Sequence, residues 1–206
     1  MGGLATIERF APPHVELDEQ SDRIVGALLG CVGRWGIGKT TADDVAREAG
    51  VSRATLYRTF PGGMEVVLDT AVRREAARFF ELVTSRLEAA PDLTEMLVVG
   101  ITEAARFLAG HAALRHLLEH EPERLLPAFT FDRLARTLEV ATSFAQPHLQ
   151  RFVPDAAAAA DGAEWVVRIL LSYATNRSGA LSLTDETDVR RFVTTYLTPA
   201  LDPSAP

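Results

Sequence analysis

Three stretches of the chain hold residue types at spacings that could do chemistry. Gly33-Arg34-Trp35-Gly36-Ile37-Gly38-Lys39-Thr40 satisfies the pattern G-x-x-x-x-G-K-[ST] letter for letter. In that motif backbone amides cradle phosphates, the lysine reaches the terminal phosphates and the hydroxyl holds magnesium. His116-Leu117-Leu118-Glu119-His120 matches the inverted zinc-protease spacing H-x-x-E-H. Two histidines four residues apart on a helix share a face, as two ligands of one metal must. The third stretch runs from Gly38 to Phe60, where two short apolar-periodic segments flank Gly50-Val51 and the second turns Arg53, Thr55, Tyr57 and Arg58 away from its apolar side. Arginine donates bidentately to guanine, and long donors beside an amphipathic aromatic suit a helix entering the DNA major groove. An ordinary αα corner with a solvated charged face has the same pattern.

The elements that must position these residues discriminate among the readings. A phosphate-binding loop follows a buried parallel strand. Here Ile24, Ala27, Leu28, Cys31, Val32 and Trp35 recur at helical spacing from Asp22 onward, and Gly36 and Gly38 end that helix. A short helix follows, with Thr41 and Asp44 as a capping box and Val45, Ala46 and Ala49 as its buried face. Ser52 caps a third helix from Arg53 to about Thr59, which is too short to stand alone and is held by packing of Val45, Ala49, Leu56 and Phe60. Pro61-Gly62-Gly63 breaks it before a long helix, Met64 to about Leu87. For the histidine pair, no third ligand is nominated nearby, and imidazoles near a helix C-terminus are favourable for the dipole alone.

The remainder reads as further helices over Leu93–Ala109, Ala112–His120, Arg124–Gln146, Asp155–Ser178 and Asp185–Leu201, divided by Pro122, Pro127, Pro147, Pro154 and residues 179–184. No sustained period-two alternation occurs, so sheet is not expected. The fold class is therefore all-α: an N-terminal three-helix helix-turn-helix head and a larger helical body. Residues 1–20, with Pro12-Pro13 and the acids Glu16, Asp18 and Glu19 near their end, read as a mobile arm, 21–65 as the head and 66–206 as the body. The chain has 206 residues, 47% apolar and 24% charged, a net charge of −7 and one cysteine. That length buries a substantial core, and the single Cys31 excludes an internal disulfide framework or a cysteine-based zinc site. Residues 1–13 lack the pattern of a secretory signal, and no run approaches a membrane span. The acidity argues against a generally basic nucleic-acid coat, yet Ser21–Arg74 has eight basic and six acidic residues. Its balance is +2, so the rest of the chain holds −9.

From Asp22 to about Ala71 the chain resembles the TetR family of bacterial transcriptional regulators. Thr-Thr-Ala-Asp-Asp-Val-Ala, then Ala-Gly-Val-Ser, then Thr-Leu-Tyr-Arg-Thr-Phe are similar to that family's signature. The stretch around Trp165–Tyr173 and Asp185–Leu201 is similar, more weakly, to actinobacterial members. The resemblance implies a homodimer that binds a palindromic DNA operator and releases it when a small molecule occupies the body; the composition favours a cytoplasmic protein, and no enzymatic activity, cofactor or metal is expected. The resemblance places Arg53, Ala54, Tyr57 and Arg58 at base edges and Thr41, Ser52, Thr55 and Thr59 at phosphates, with Lys39 and Thr40 beside them in the preceding loop. Two departures remove phosphate contacts: Thr59 replaces a common histidine, and Met64 a common lysine or arginine. The amides of Gly62-Gly63, at the next helix N-terminus, are the expected substitute, with a smaller salt slope than in more basic relatives.

In the body, Phe79, Val83, Met96, Phe107, Leu114, Leu118, Phe129, Phe144 and Trp165 lie on different helices, with His111 as a polar candidate. Aromatics and methionine between helices accept a hydrophobic effector, although each alone is also an ordinary core residue. The last two helices present Trp165, Ile169, Ser172 and Tyr173, then Val189, Phe192, Val193, Tyr196 and Leu197, as pairing stripes for a four-helix bundle across a two-fold axis. The competing classes are a P-loop-like nucleotide-binding or zinc-dependent helical enzyme, and a helical interaction protein with no DNA function.

Overall fold

The computed structural model describes residues 16–125, 131–175 and 181–201, without side chains at 124, 125, 131–134, 136, 137, 174 and 175. The described residues form helices and no strand: α1 Glu19–Trp35, α2 Ala42–Glu48, α3 Arg53–Thr59, α4 Met64–Ala89, α5 Leu93–Gly110, α6 Ala112–His120, α7 Pro122–Leu125, α8 Phe131–Leu149, α9 Ala156–Thr175 and α10 Glu186–Phe192. A π turn, Val193–Leu197, continues α10 into α11, Thr198–Leu201. No described helix is by itself long and apolar enough to cross a membrane.

They fall into two compact units. Residues 16–78 with 110–125 make one, and 79–109 with 131–175 and 181–201 make the other. This differs from a division at residue 65. Val67 and Ala71 of α4 are fully buried in the first unit's core, and Ala113 of α6 joins them. Gly33 makes the α1–α6 approach possible, since a Cβ there would stand 3.2 Å from the Ala112 Cβ. Here the first unit is called the head and the second the body.

The head begins earlier than Ser21. Asp18 caps α1, its Oδ1 accepting from the Ser21 amide at 2.7 Å, so Glu19 and Gln20 are helical rather than part of an arm. Residues 1–15 of the expected arm lie outside the described residues. The body's core gathers Val83 and Leu87 of α4, Met96, Leu97, Val98, Ile101 and Ala104 of α5, Phe144 and Leu149 of α8, and Val189 and Val193 beyond. Asp185 caps α10 through the amides of Thr187 and Asp188.

Of the prolines expected to divide helices, Pro122 stands at a boundary and Pro147 does not. Pro122 opens α7, where its missing N–H would have had no helical partner. Pro147 lies inside α8, which runs on to Leu149. A proline deletes only its own donor, and burial of Phe144 and Leu149 on either side holds the last turn in place.

Candidate nucleic-acid interface

The α2–turn–α3 unit is fixed by its ends. Thr41 and Asp44 form a reciprocal capping box: the Thr41 hydroxyl accepts from the Asp44 amide, and the Asp44 carboxylate accepts from the Thr41 amide at 3.1 Å. The Thr41 hydroxyl also donates to the Asp44 carboxylate, and that bond, ahead of the one from the Thr41 amide, holds the Asp44 carboxyl below the usual carboxylate range. The C-terminus closes by a Schellman arrangement. Val51 N–H donates to Ala46 C=O at 2.9 Å and Gly50 N–H to Arg47 C=O at 3.2 Å, with Gly50 at φ 67°. Ser52 then caps α3, its Oγ accepting from the Thr55 amide at 3.0 Å. A Ser or Thr cap of this kind contributes about 1 kcal/mol, much for helices of seven residues. Leu56 anchors α3 from within at 0% exposure.

With Leu56 inward, Arg53, Ala54, Tyr57 and Arg58 are left exposed along α3, and Thr55 is half-buried. The Arg53 guanidinium lies 5.6 Å from the Tyr57 ring centroid and 2.9 Å from Asp43 Oδ2 on α2. Both partners of that ion pair are largely exposed, so it is worth no more than about 1 kcal/mol and opens at small cost. Tyr57 is aimed by Gly63: a Cβ there would stand 2.7 Å from the tyrosine Cε1, and Gly63 has φ 70°. The close ring contact and the backbone conformation both require glycine.

The other expected contacts are less free. Lys39 is exposed, while Thr40 donates its hydroxyl to Gly36 C=O at 2.6 Å. Thr41 and Ser52 are exposed but engaged as caps, and Ser52 Oγ is 2.9 Å from Thr55 Oγ1. Thr59 is half-buried and accepts from Gln20 Nε2 at 2.8 Å. Gln20 and Asp43 shape the face and were not foreseen, and Gly63, expected to offer its amide to a phosphate, donates it to Phe60 C=O at 2.8 Å and positions Tyr57 instead. Asp43 alone left a signal, an acid in the first turn of α2 beside a helix that must present arginine.

The structure corrects the phosphate-loop reading. Gly33 is a helix-packing residue within α1, and Gly36 is the left-handed C-cap of that helix at φ 82°. The amides of Ile37 and Gly38 donate to the Glu121 carboxylate at 3.1 and 3.2 Å. A protein carboxylate therefore holds the donors that a nucleotide phosphate would need, and α1 stands where a strand should. The zinc reading finds no third ligand among the described residues either. The His116 and His120 rings stack at 4.5 Å, and among the described residues no group of three or more His, Cys, Asp or Glu side chains could hold a metal.

The expected effector residues divide between the units. Val83, Met96 and Phe144 are buried in the body's core, with Phe79 and Phe107 in edge contact at 5.4 Å. Trp165 is 66% exposed. Leu114 and Leu118, on α6, are half-buried in the head. His111 caps α6, its Nδ1 accepting from the Leu114 amide at 3.1 Å, and its Nε2 lies 3.5 Å from Glu75. Phe129 lies outside the described residues.

The family model of bacterial regulatory proteins, tetR family, matches residues 25–69, the span of this scaffold from α1 into α4. An uncharacterized HTH-type transcriptional regulator of Mycobacterium tuberculosis is 27% identical over 164 residues, 79% of this chain and 76% of its own. Another from Mycobacterium bovis is 29% identical over 118 residues, 57% of this chain and 58% of its own. Among solved structures, the fatty acid degradation regulator FadR from Bacillus halodurans superposes with a TM-score of 0.67 at 18% identity, covering 88% of this chain and 98% of that one. The TetR family repressor AlkX from Dietzia sp., implicated in biodegradation of n-alkanes, gives 0.60 at 22% identity, covering 87% and 98%. Over residues 25–69 the chain is therefore similar to the DNA-binding segment of the tetR family of bacterial regulatory proteins, and over most of its length it is similar to HTH-type transcriptional regulators.

Proposed function

We propose that the protein is a homodimeric, cytoplasmic repressor that reads a palindromic operator with α3 and releases it when a small apolar molecule occupies the body. The observation that carries the reading is the division of α3: Leu56 is wholly inside, while Arg53, Ala54, Tyr57 and Arg58 are outside on one short helix capped by Ser52. Such a helix presents side chains in fixed positions, and fixed donors distinguish bases. Ala54 keeps the helix slim enough to approach a thymine methyl. Lys39, Thr40, Thr41, Ser52, Thr55 and Thr59 serve phosphates.

Pairing through the last helices is supported by their exposed aromatics. Trp165 on α9 and Tyr196 in the π turn are 66% and 65% exposed, an apolar area that a second copy would cover. Trp165 then serves the pairing surface rather than the effector interior. Two recognition helices in a dimer address half-sites about one helical turn apart, or a multiple of that spacing.

Selection of bound duplexes from a random pool tests this reading. Enrichment of a palindrome, lost on Arg53→Ala and on Tyr57→Ala, is the expected result. No enrichment at low salt, or a purely monomeric protein in sedimentation at micromolar concentration, would overturn it.

A further inference from the structure

Phe107 packs on Phe79 at 5.4 Å, Phe79 on Phe80 at 5.3 Å, Phe80 on Phe144 at 4.6 Å, and Phe144 on His148 at 5.2 Å between ring centroids. This row of rings crosses the body from α5 through α4 to α8 and ends in an imidazole. His148 is 2% exposed, and its Nε2 has no hydrogen-bond partner among the described residues. Thr102, on the same helix as Phe107, is 1% exposed, and its hydroxyl is likewise unpartnered among them. The second case is the more telling, because a helical threonine can return its hydroxyl to the carbonyl one turn back. Thr70 does so at 2.8 Å and Thr194 at 2.9 Å. A buried polar atom left without a partner costs about 1–3 kcal/mol, so two in one apolar core call for an occupant.

We propose that the aromatic row is the wall of the effector site and that His148 Nε2, with the Thr102 hydroxyl, anchors an uncharged, mainly apolar molecule bearing a hydroxyl or carbonyl oxygen. This deepens, and rests on, the reading of the body as an effector domain. Neutrality of the ligand follows from the surroundings. Burial is the main influence on His148 and holds its imidazole below the ordinary histidine range, while Glu88 and Arg151 act on it in opposite senses. Arg151, the nearby cation, is committed to the end of α4, donating to Leu87 C=O at 2.9 Å and Glu88 C=O at 3.4 Å. A carboxylate entering this core would meet no free cation among these groups, and burying an unpaired charge is costly. A neutral oxygen can accept from or donate to the imidazole according to its tautomer.

Three probes with one skeleton separate the head groups: naphthalene, 2-naphthol and 2-naphthoate, titrated calorimetrically into the full-length protein at neutral pH. We expect 2-naphthol to bind about five- to tenfold more tightly than naphthalene, the worth of one or two neutral hydrogen bonds, and 2-naphthoate more weakly than 2-naphthol. In His148→Leu the advantage of 2-naphthol should fall to near parity. The isosteric Thr102→Val, which keeps the packing, should reduce it in part. Neither substitution should lower the melting temperature of the unliganded protein by more than a degree or two, because each removes an unpaired buried atom.

Equal affinities for naphthalene and 2-naphthol, a preference that survives both substitutions, tighter binding of 2-naphthoate, or no binding at all would each overturn the proposal. So would a large loss of stability in Thr102→Val, which would mean that a structural water already satisfies the hydroxyl. Duplex binding is followed in the same samples. If 2-naphthol binds through His148 and the duplex is retained, the release step of the proposed function fails while the ligand site stands.

Discussion

Around Leu56 and Val67 the buried side chains of the head are apolar except for Ser21, whereas the body buries His148, Thr102 and Thr198 among its phenylalanines. The two unpartnered buried polar atoms found among the described residues are both in the body. In the head, polar groups lie at the surface and are spent on geometry: Asp18, Thr41, Ser52 and His111 each close a helix N-terminus. The difference matches the roles proposed for the two regions. A reading surface needs donors held in fixed positions on a sealed support, whereas a ligand site needs polar atoms left waiting inside an apolar one.

The largest test of that contrast is Leu56→Ala. Truncating a fully buried leucine should cost about 2–5 kcal/mol and abolish DNA binding. Hydrogen exchange should show lost protection in α2 and α3 with α5 and α8 unchanged. Protection lost equally in the two units would dissolve the distinction drawn here. Thr41→Ala should cost about 1 kcal/mol by opening the capping box, visible as a lower melting temperature and restored by Thr41→Ser.

The next prediction concerns acid. His148 titrates in the body below the ordinary histidine value of about 6.5. In that case the unfolded chain binds the proton more readily than the folded one. The contribution is fully present above about pH 6.5 and is lost as pH falls from there through the folded value. Thermal melts from pH 7.5 to 5 should show that decline, and His148→Leu should flatten it. The smallest effect belongs to Asp43→Asn. Freeing Arg53 and removing a negative charge from the reading face should tighten binding to arbitrary duplex a few-fold without changing the preferred sequence.

The head was legible from sequence because its signals are local. Thr41 with Asp44, Gly50 before Val51, and Ser52 before Arg53 each specify a cap or turn within a few residues, and the structure places all of them as expected. The edges were less legible. Asp18 was read as part of an arm because an isolated cap carries no periodicity with it. Glu121, which occupies the amides of Ile37 and Gly38, is more than eighty positions away, and no pattern links the two. His148 was hidden for a different reason. Pro147 reads as a helix end, and only the tertiary burial of Leu149 carries α8 past it. Thr102 has no signal at all, since a helical threonine that leaves its hydroxyl unpaired looks the same in sequence as one that does not.

The central claim is that the exposed side of α3 reads bases. It is tested most directly by equilibrium binding of wild type and Arg53→Ala to an enriched duplex and to a scrambled duplex of the same composition, across a range of salt. The account predicts strong preference of the wild type for the enriched duplex, with a shallow salt dependence. It predicts a loss of about 1–3 kcal/mol on that duplex alone in the variant. Equal binding to the two duplexes, or an equal loss on both in the variant, would contradict it.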